Sequence, residues 1–162
     1  MLARRHVVRA GGGVLALFLG KVGVRPAEAA SAFEVSRTDV EWRRQLTAAQ
    51  YAVLRQNSTE QPFSSHLLAE HRRGTFTCAG CGRAAFSSTT KFESGTGWPS
   101  FWAALEGGIA TESDQSLGMV RTAVHCNGCG GHLGHVFDDG PQPTGLRYCM
   151  NGVALGFHPD QA

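Results

Sequence analysis

Five cysteines carry most of the reactive chemistry in this 162-residue sequence, and their spacing sorts them four and one. Cys78 and Cys81 sit in Cys-Ala-Gly-Cys-Gly, and Cys126 and Cys129 in Cys-Asn-Gly-Cys-Gly. Each Cys-x-x-Cys turn presents two thiolates to one metal, and a glycine after the second cysteine lets the chain reverse without a side chain in the way. Two such half-sites predict one tetrahedral zinc site with four cysteine ligands. With 44 residues between Cys81 and Cys126, the metal joins distant hairpins and does not close a single finger. Four thiolates leave no open coordination position, so one structural Zn2+ is expected. Disulfides in an exported protein and a thioredoxin-like redox pair are the competing uses. Repetition of one turn form favours zinc, and no βαβ pattern surrounds either pair.

Cys149 has no cysteine near it in sequence. A lone buried cysteine is ordinarily inert packing, but its neighbours point elsewhere. Arg147 lies two residues away, on the same side of a strand, where a cation lowers a thiol pKa. Asn151 falls on that face as well. The Gly-rich stretch from Gly130 to Gly140 contains His132, His135 and Asp139. Its histidines have three uses open to them: metal ligation, acid–base work or plain exposure. With four cysteines already satisfying a metal, proton transfer beside a reactive thiol is the better use of the first two. Asp139 is then a carboxylate able to orient one imidazole. In Gly95-Thr96-Gly97-Trp98-Pro99, two glycines and a proline fix a turn that presents the Trp98 indole in a cleft. Phe101 and Trp102 read as ordinary core aromatics.

The elements that must position these groups are mainly β. Ser36 to Leu46 predicts a short helix capped by Ser36, with Asp39 three residues on. Thr47 and Gln50 form a second capping pattern ahead of Tyr51 to Arg55, and Gln56 to Pro62 reads as a loop. From Gly74 the helical period disappears. Short runs (Thr75–Thr77, Ala84–Phe86, Met119–Val124, His135–Phe137 and Leu146–Cys149) alternate with Gly, Pro, Asn and Asp, the pattern of strands joined by turns. An antiparallel domain with a helical lead-in is expected over residues 31–162, with no internal boundary.

Residues 1–30 differ. Arg4, Arg5 and Arg9 precede a short apolar stretch, and Ala27-Glu28-Ala29-Ala30 supplies small residues for cleavage. That order predicts an export signal, twin-arginine-like or general secretory, and a periplasmic mature protein without stable membrane insertion. Residues 1–29 hold five of the 15 basic residues and one of the 13 acidic ones, leaving 10 against 12 and a net charge of −2. That balance gives no basic footprint for nucleic acid.

Four segments together resemble the methionine-R-sulfoxide reductases, from about Trp42 to Phe157. They are Thr59-Glu60-Gln61-Pro62-Phe63, Lys91 through Phe101, Gly131 through Phe137, and Arg147-Tyr148-Cys149-Met150-Asn151. The resemblance implies a fold of two antiparallel sheets stapled by zinc, with Cys149 as nucleophile and sulfenic acid as its product. It implies that His132, His135 and Asn151 hold and protonate the sulfoxide oxygen. Trp98 would pack on the substrate methyl, with Arg147 and Asp139 in support. Cys78, Cys81, Cys126 and Cys129 would hold the zinc. Substrates would be oxidised proteins or peptides, with no organic cofactor.

One departure from the family pattern concerns recycling. Many members carry a resolving cysteine where this chain has Thr96, so a small thiol or thioredoxin-like reductant is expected to act on Cys149 directly. Two other classes compete: a non-catalytic zinc-binding peptide-interaction module, and a thiol-disulfide oxidoreductase using a Cys-x-x-Cys pair. The first leaves Cys149, the histidines and Trp98 unexplained. Stoichiometric bound zinc would exclude the second.

Overall fold

The structure, a computed structural model, describes residues 33–161. The predicted export signal lies outside the described residues. Two short helices lead in: α1 (Asp39–Gln45) and α2 (Ala48–Gln56). The cap of α1 is Thr38, not Ser36. The Thr38 hydroxyl accepts from the Glu41 N–H, and the Glu41 carboxylate accepts from the Thr38 N–H at 2.8 Å. The reciprocal box needs a glutamate-length side chain at its third position, which Asp39 does not supply to Ser36. α2 begins as expected, with Thr47 and Gln50 forming the same box.

The rest is antiparallel sheet. β1 (Gly74–Cys78), β2 (Ala84–Ser87) and β9 (Leu155–Pro159) form a three-stranded sheet in the order β2-β1-β9. The larger sheet runs β3-β4-β8-β7-β6-β5. Its members are β3 (Lys91–Phe92), β4 (Ser100–Phe101), β5 (Ile109–Asp114), β6 (Arg121–Cys126), β7 (His132–Phe137) and β8 (Arg147–Met150). The sheets meet through aromatic rings. Phe86 stacks on Phe101 at 4.5 Å, and Phe76 meets Phe101 edge-on at 4.9 Å. Such pairs add to the burial they bring. Leu54 of α2 and Leu133 of β7 complete the core. Phe101 is fully buried, whereas Trp102 is only partly so.

Four strands escape the sequence pattern. β3 and β4 are two residues long. β5 is a mostly exposed edge strand without apolar alternation, and β9 contains Gly156 and Pro159. Met119 and Val120, expected in a strand, precede β6 and are exposed. Among the described residues, no helix is long and apolar enough to cross a membrane.

Candidate active site and metal centre

Both Cys-x-x-Cys turns have the same build. β1 ends at Cys78 and β6 at Cys126. Gly82 N–H then donates to Cys78 O, and Gly130 N–H to Cys126 O, each at 2.8 Å. Gly82 and Gly130 have φ of 77° and 68°, the left-handed region that favours glycine. The four Sγ atoms lie within 4.8 Å of one another, with Cys78–Cys129 at 3.8 Å and Cys81–Cys126 at 3.4 Å. A zinc tetrahedron with bonds of about 2.3 Å has sulfur edges of roughly 3.8 Å. These separations are far beyond a disulfide bond of about 2.05 Å. Cys126 ionises most readily of the cluster, its thiolate accepting from Cys129 and Cys78. That charge pushes Cys129 up to about 12 and drives Cys78 higher as well. A bound divalent cation removes the conflict by stabilising all four thiolates, so the donor set fits zinc and joins the two sheets.

Cys149 stands apart from this cluster, on β8 inside the larger sheet. Its register partners are Ser100 on β4 and His135 on β7. Arg147 pairs with Phe137 two positions along, so His135, Phe137, Arg147 and Cys149 share one face. A Cβ on Gly134 would collide with the Cys149 carbonyl, so only glycine lets β7 and β8 come this close. The Cys149 thiol opens on a cavity of about 180 Å³ with Trp98, His135, Phe137, Asn151, Thr59 and Arg121 on its walls.

Three side chains fix that cavity. The Asn151 side chain donates to Leu133 O at 3.1 Å and accepts from the Glu60 N–H at 2.9 Å. Trp98 Nε1 donates to Glu60 O at 3.2 Å. The Glu60 carboxylate accepts from the N–H groups of Gly152 and Val153 at 2.5 and 2.9 Å. Glu60 therefore holds the indole, the amide and the turn after β8 at once. Spacing does not single it out, because its carboxylate partners lie about ninety residues away.

Arg147 does not act as a free cation beside the thiol. Its Nε and Nη2 donate to both oxygens of Asp139 at 2.8 Å, and its guanidinium lies 4.5 Å over the Phe137 ring. Burial consequently wins, and the Cys149 thiol is raised above its ordinary value despite lowering contributions from Thr96 and Arg147. The expected depression by a neighbouring cation is not realised. Thr96 Oγ1 sits 3.7 Å from Cys149 Sγ, at the end of a hydroxyl chain through Ser94 to Ser100.

Asp139 is also not the carboxylate that orients an imidazole. It is committed to Arg147, and its place is taken by Asp114 at the end of β5. Asp114 Oδ2 lies 2.8 Å from His135 Nε2 and accepts from Arg121 Nη2 at 2.7 Å. Ser116 and His135 hold its carboxyl well below the usual range. An edge strand reached across its one neighbour, β6, gives no sequence signal for this role.

His132 is 2 % exposed and is not among the residues around the Cys149 cavity. A register irregularity between β6 and β7 opposes His132 to His125. Its ring is 5.2 Å from those of both His125 and His135. Both ring nitrogens lack a protein partner. Burial, then the neighbouring imidazoles, pushes its pKa down to about 4, so it is neutral at pH 7. It lines a second cavity of about 430 Å³ that shares Thr59, Arg121 and His135 with the first.

Residues 46–159 match the SelR domain family. The chain is 50 % identical over 129 residues to a peptide methionine sulfoxide reductase MsrB of Leptospira interrogans, covering 79 % of this chain and 98 % of that protein. A Bradyrhizobium diazoefficiens protein of the same name is 54 % identical over 127 residues, covering 78 % and 91 %. One from Methanosarcina mazei is 50 % identical over 129 residues, covering 79 % and 92 %.

Proposed function

Since the chain belongs to the SelR-domain family, the methionine-R-sulfoxide reductases, we propose that it reduces R-sulfoxides of peptidyl methionine with Cys149 as nucleophile. One observation carries this reading. Of five thiols, four are gathered into a cluster able to hold one metal ion, and the fifth opens on a cavity the size of one side chain. Trp98 offers that cavity an aromatic wall for the methyl group, while Asn151 and His135 form its polar side.

The reaction balances within the site. Cys149 Sγ attacks the sulfoxide sulfur, and the thiol proton, relayed through His135, goes to the sulfoxide oxygen. A thiol held protonated by burial suits this, because the proton it loses is the one the oxygen needs. The protonated oxygen then passes from the substrate sulfur to Sγ, so the substrate S–O bond breaks as the Sγ–O bond forms. The transient Sγ–S bond breaks with its electron pair going to the thioether, which leaves reduced by two electrons, and Cys149 is left oxidised as sulfenic acid. An external thiol then attacks that sulfur and releases water, giving a mixed disulfide. A second thiol restores Cys149. His135 is oriented by Asp114, and Asn151 by Glu60 and Leu133. Arg147, pinned by Asp139, keeps a positive charge near the thiolate as it forms. His132, neutral and buried, backs His135.

Zinc bound by Cys78, Cys81, Cys126 and Cys129 would hold the two sheets together and take no part in the reaction. Thr96 in place of a resolving thiol supports direct recycling by a small thiol or thioredoxin-like donor. The order of residues 1–30 supports export to a periplasm, which N-terminal sequencing of the natural protein checks. Turnover of separate R and S epimers of peptidyl methionine sulfoxide with dithiothreitol tests the reaction itself. The R epimer alone should be reduced, and Cys149→Ser should abolish it. Equal use of both epimers, or an active Cys149→Ser variant, contradicts the reading.

A further inference from the structure

Phe63 combines two costly features. It is 71 % exposed, so its ring forgoes most of the gain from burial. Its φ is 63°, the left-handed region that bulky residues avoid. Isolated exposed apolar residues are common and need no reason, but a strained one clusters with function more often than chance allows.

The strain is held in place by the active-site loop. Phe63 N–H donates to Gly97 O at 2.7 Å. Gly97 itself has φ of 92°, and a Cβ there would approach Pro62 Cβ to 2.7 Å and the Phe63 ring to 3.0 Å. The ring therefore lies against Gly97, between Thr96, which touches Cys149, and Trp98, which lines the cavity. It is outside the cavity, packed on the residue that separates the cavity-lining Trp98 from Thr96 beside Cys149. The cavity of about 180 Å³ is below the usual 300–1,000 Å³ of a ligand pocket. It admits the oxidised side chain and leaves the flanking polypeptide outside.

Resting on the proposed function, we infer that Phe63 is a contact for that flanking polypeptide: an apolar residue next to the oxidised methionine covers the ring. Phe63 is then a specificity-determining residue that favours peptidyl over monomeric sulfoxide.

The test compares kcat/KM for two R-sulfoxide substrates, a peptide with leucine on both sides of the oxidised methionine and the N-acetyl amide of methionine sulfoxide alone. The parent enzyme prefers the peptide. In Phe63→Asn the peptide-to-monomer ratio falls roughly tenfold, mainly through KM for the peptide, as truncation of an aromatic contact does. Phe63→Leu retains most of the ratio. Asparagine accepts a left-handed φ more readily than phenylalanine, so the Tm of Phe63→Asn stays at or above the parent's. An unchanged ratio, or a parent ratio near one, overturns the inference. A lowered Tm in Phe63→Asn assigns the residue to the fold and overturns it as well. If the parent reduces neither R-sulfoxide, the proposed function itself has failed.

Discussion

The four-cysteine centre and the Cys149 cavity are built by opposite means. The metal centre is two copies of one local turn, each closed by its own glycine and its own backbone hydrogen bond. The cavity around Cys149 has no local copy of itself. It is assembled from the start of β6, β7, β8, the turn after β8 and two loops, and tied by the long-range bonds of Glu60 and Asp114. Local repetition makes a staple, whereas convergence of distant segments makes a site in which each group has one neighbour to tune it.

Separate damage is the sharpest consequence. Cys126→Ser should release zinc and cost several kcal/mol of stability, because binding energy at such a site is folding energy. Metal content and chemical denaturation measure it. Cys149→Ser should leave both unchanged. Loss of metal in the second variant, or its retention with full stability in the first, would break the distinction.

His132 sharpens it on the cavity side. Burial holds its pKa at about 4, against an ordinary value of 6.5. Between those values the unfolded chain binds a proton here more readily than the folded one. The associated stability is complete above about pH 6.5 and is lost as the pH falls toward 4, up to about 3 kcal/mol. The groups facing it are His125, His135, Asp114 and Arg121. Denaturation at about pH 7, above that window, and at about pH 4.5, near its lower end, should show a larger acid loss in the parent than in His132→Phe. Equal losses would mean that His132 is not the buried neutral group.

Glu60 probes convergence. Glu60→Gln keeps the shape but removes the charge that accepts two N–H groups, so Trp98 and Asn151 should lose definition. A loss of roughly tenfold in kcat/KM is expected, near the value of one charge-assisted hydrogen bond. An unaffected variant would show that the long-range tie is dispensable.

The four-cysteine cluster is legible in the sequence, to its members and the role of Gly82 and Gly130, because spacing alone encodes a local turn. Cys149, Trp98 and Asn151 are legible as a set only through family resemblance. Their meeting depends on strand register, which a residue string does not display. The two electrostatic expectations fail for different reasons: burial outweighs the lowering that Arg147 gives the Cys149 thiol, and Asp139 is paired with Arg147 in place of an imidazole. Asp114 escapes a reading of the sequence because it ends an edge strand whose latter part, residues 111–114, is polar and lacks apolar alternation. Ser36 gives way to Thr38 because a capping box discriminates Glu from Asp by one methylene.

The smallest effect concerns recycling. Thr96→Cys places a thiol where Oγ1 now lies 3.7 Å from Cys149 Sγ. It should form a disulfide with Cys149 on oxidation and raise turnover with thioredoxin-like donors a few-fold, since disulfides are their usual substrate. Non-reducing peptide mapping and steady-state rates check both parts.

Division of the five thiols into four structural and one reactive is most directly tested by mass spectrometry of the zinc-loaded enzyme. The sample is taken after one equivalent of R-sulfoxide peptide and no reductant. A single added oxygen on Cys149, trapped by dimedone, with the metal still bound, is the predicted result. A disulfide between Cys149 and any of Cys78, Cys81, Cys126 or Cys129, formed in step with the methionine product, would contradict it.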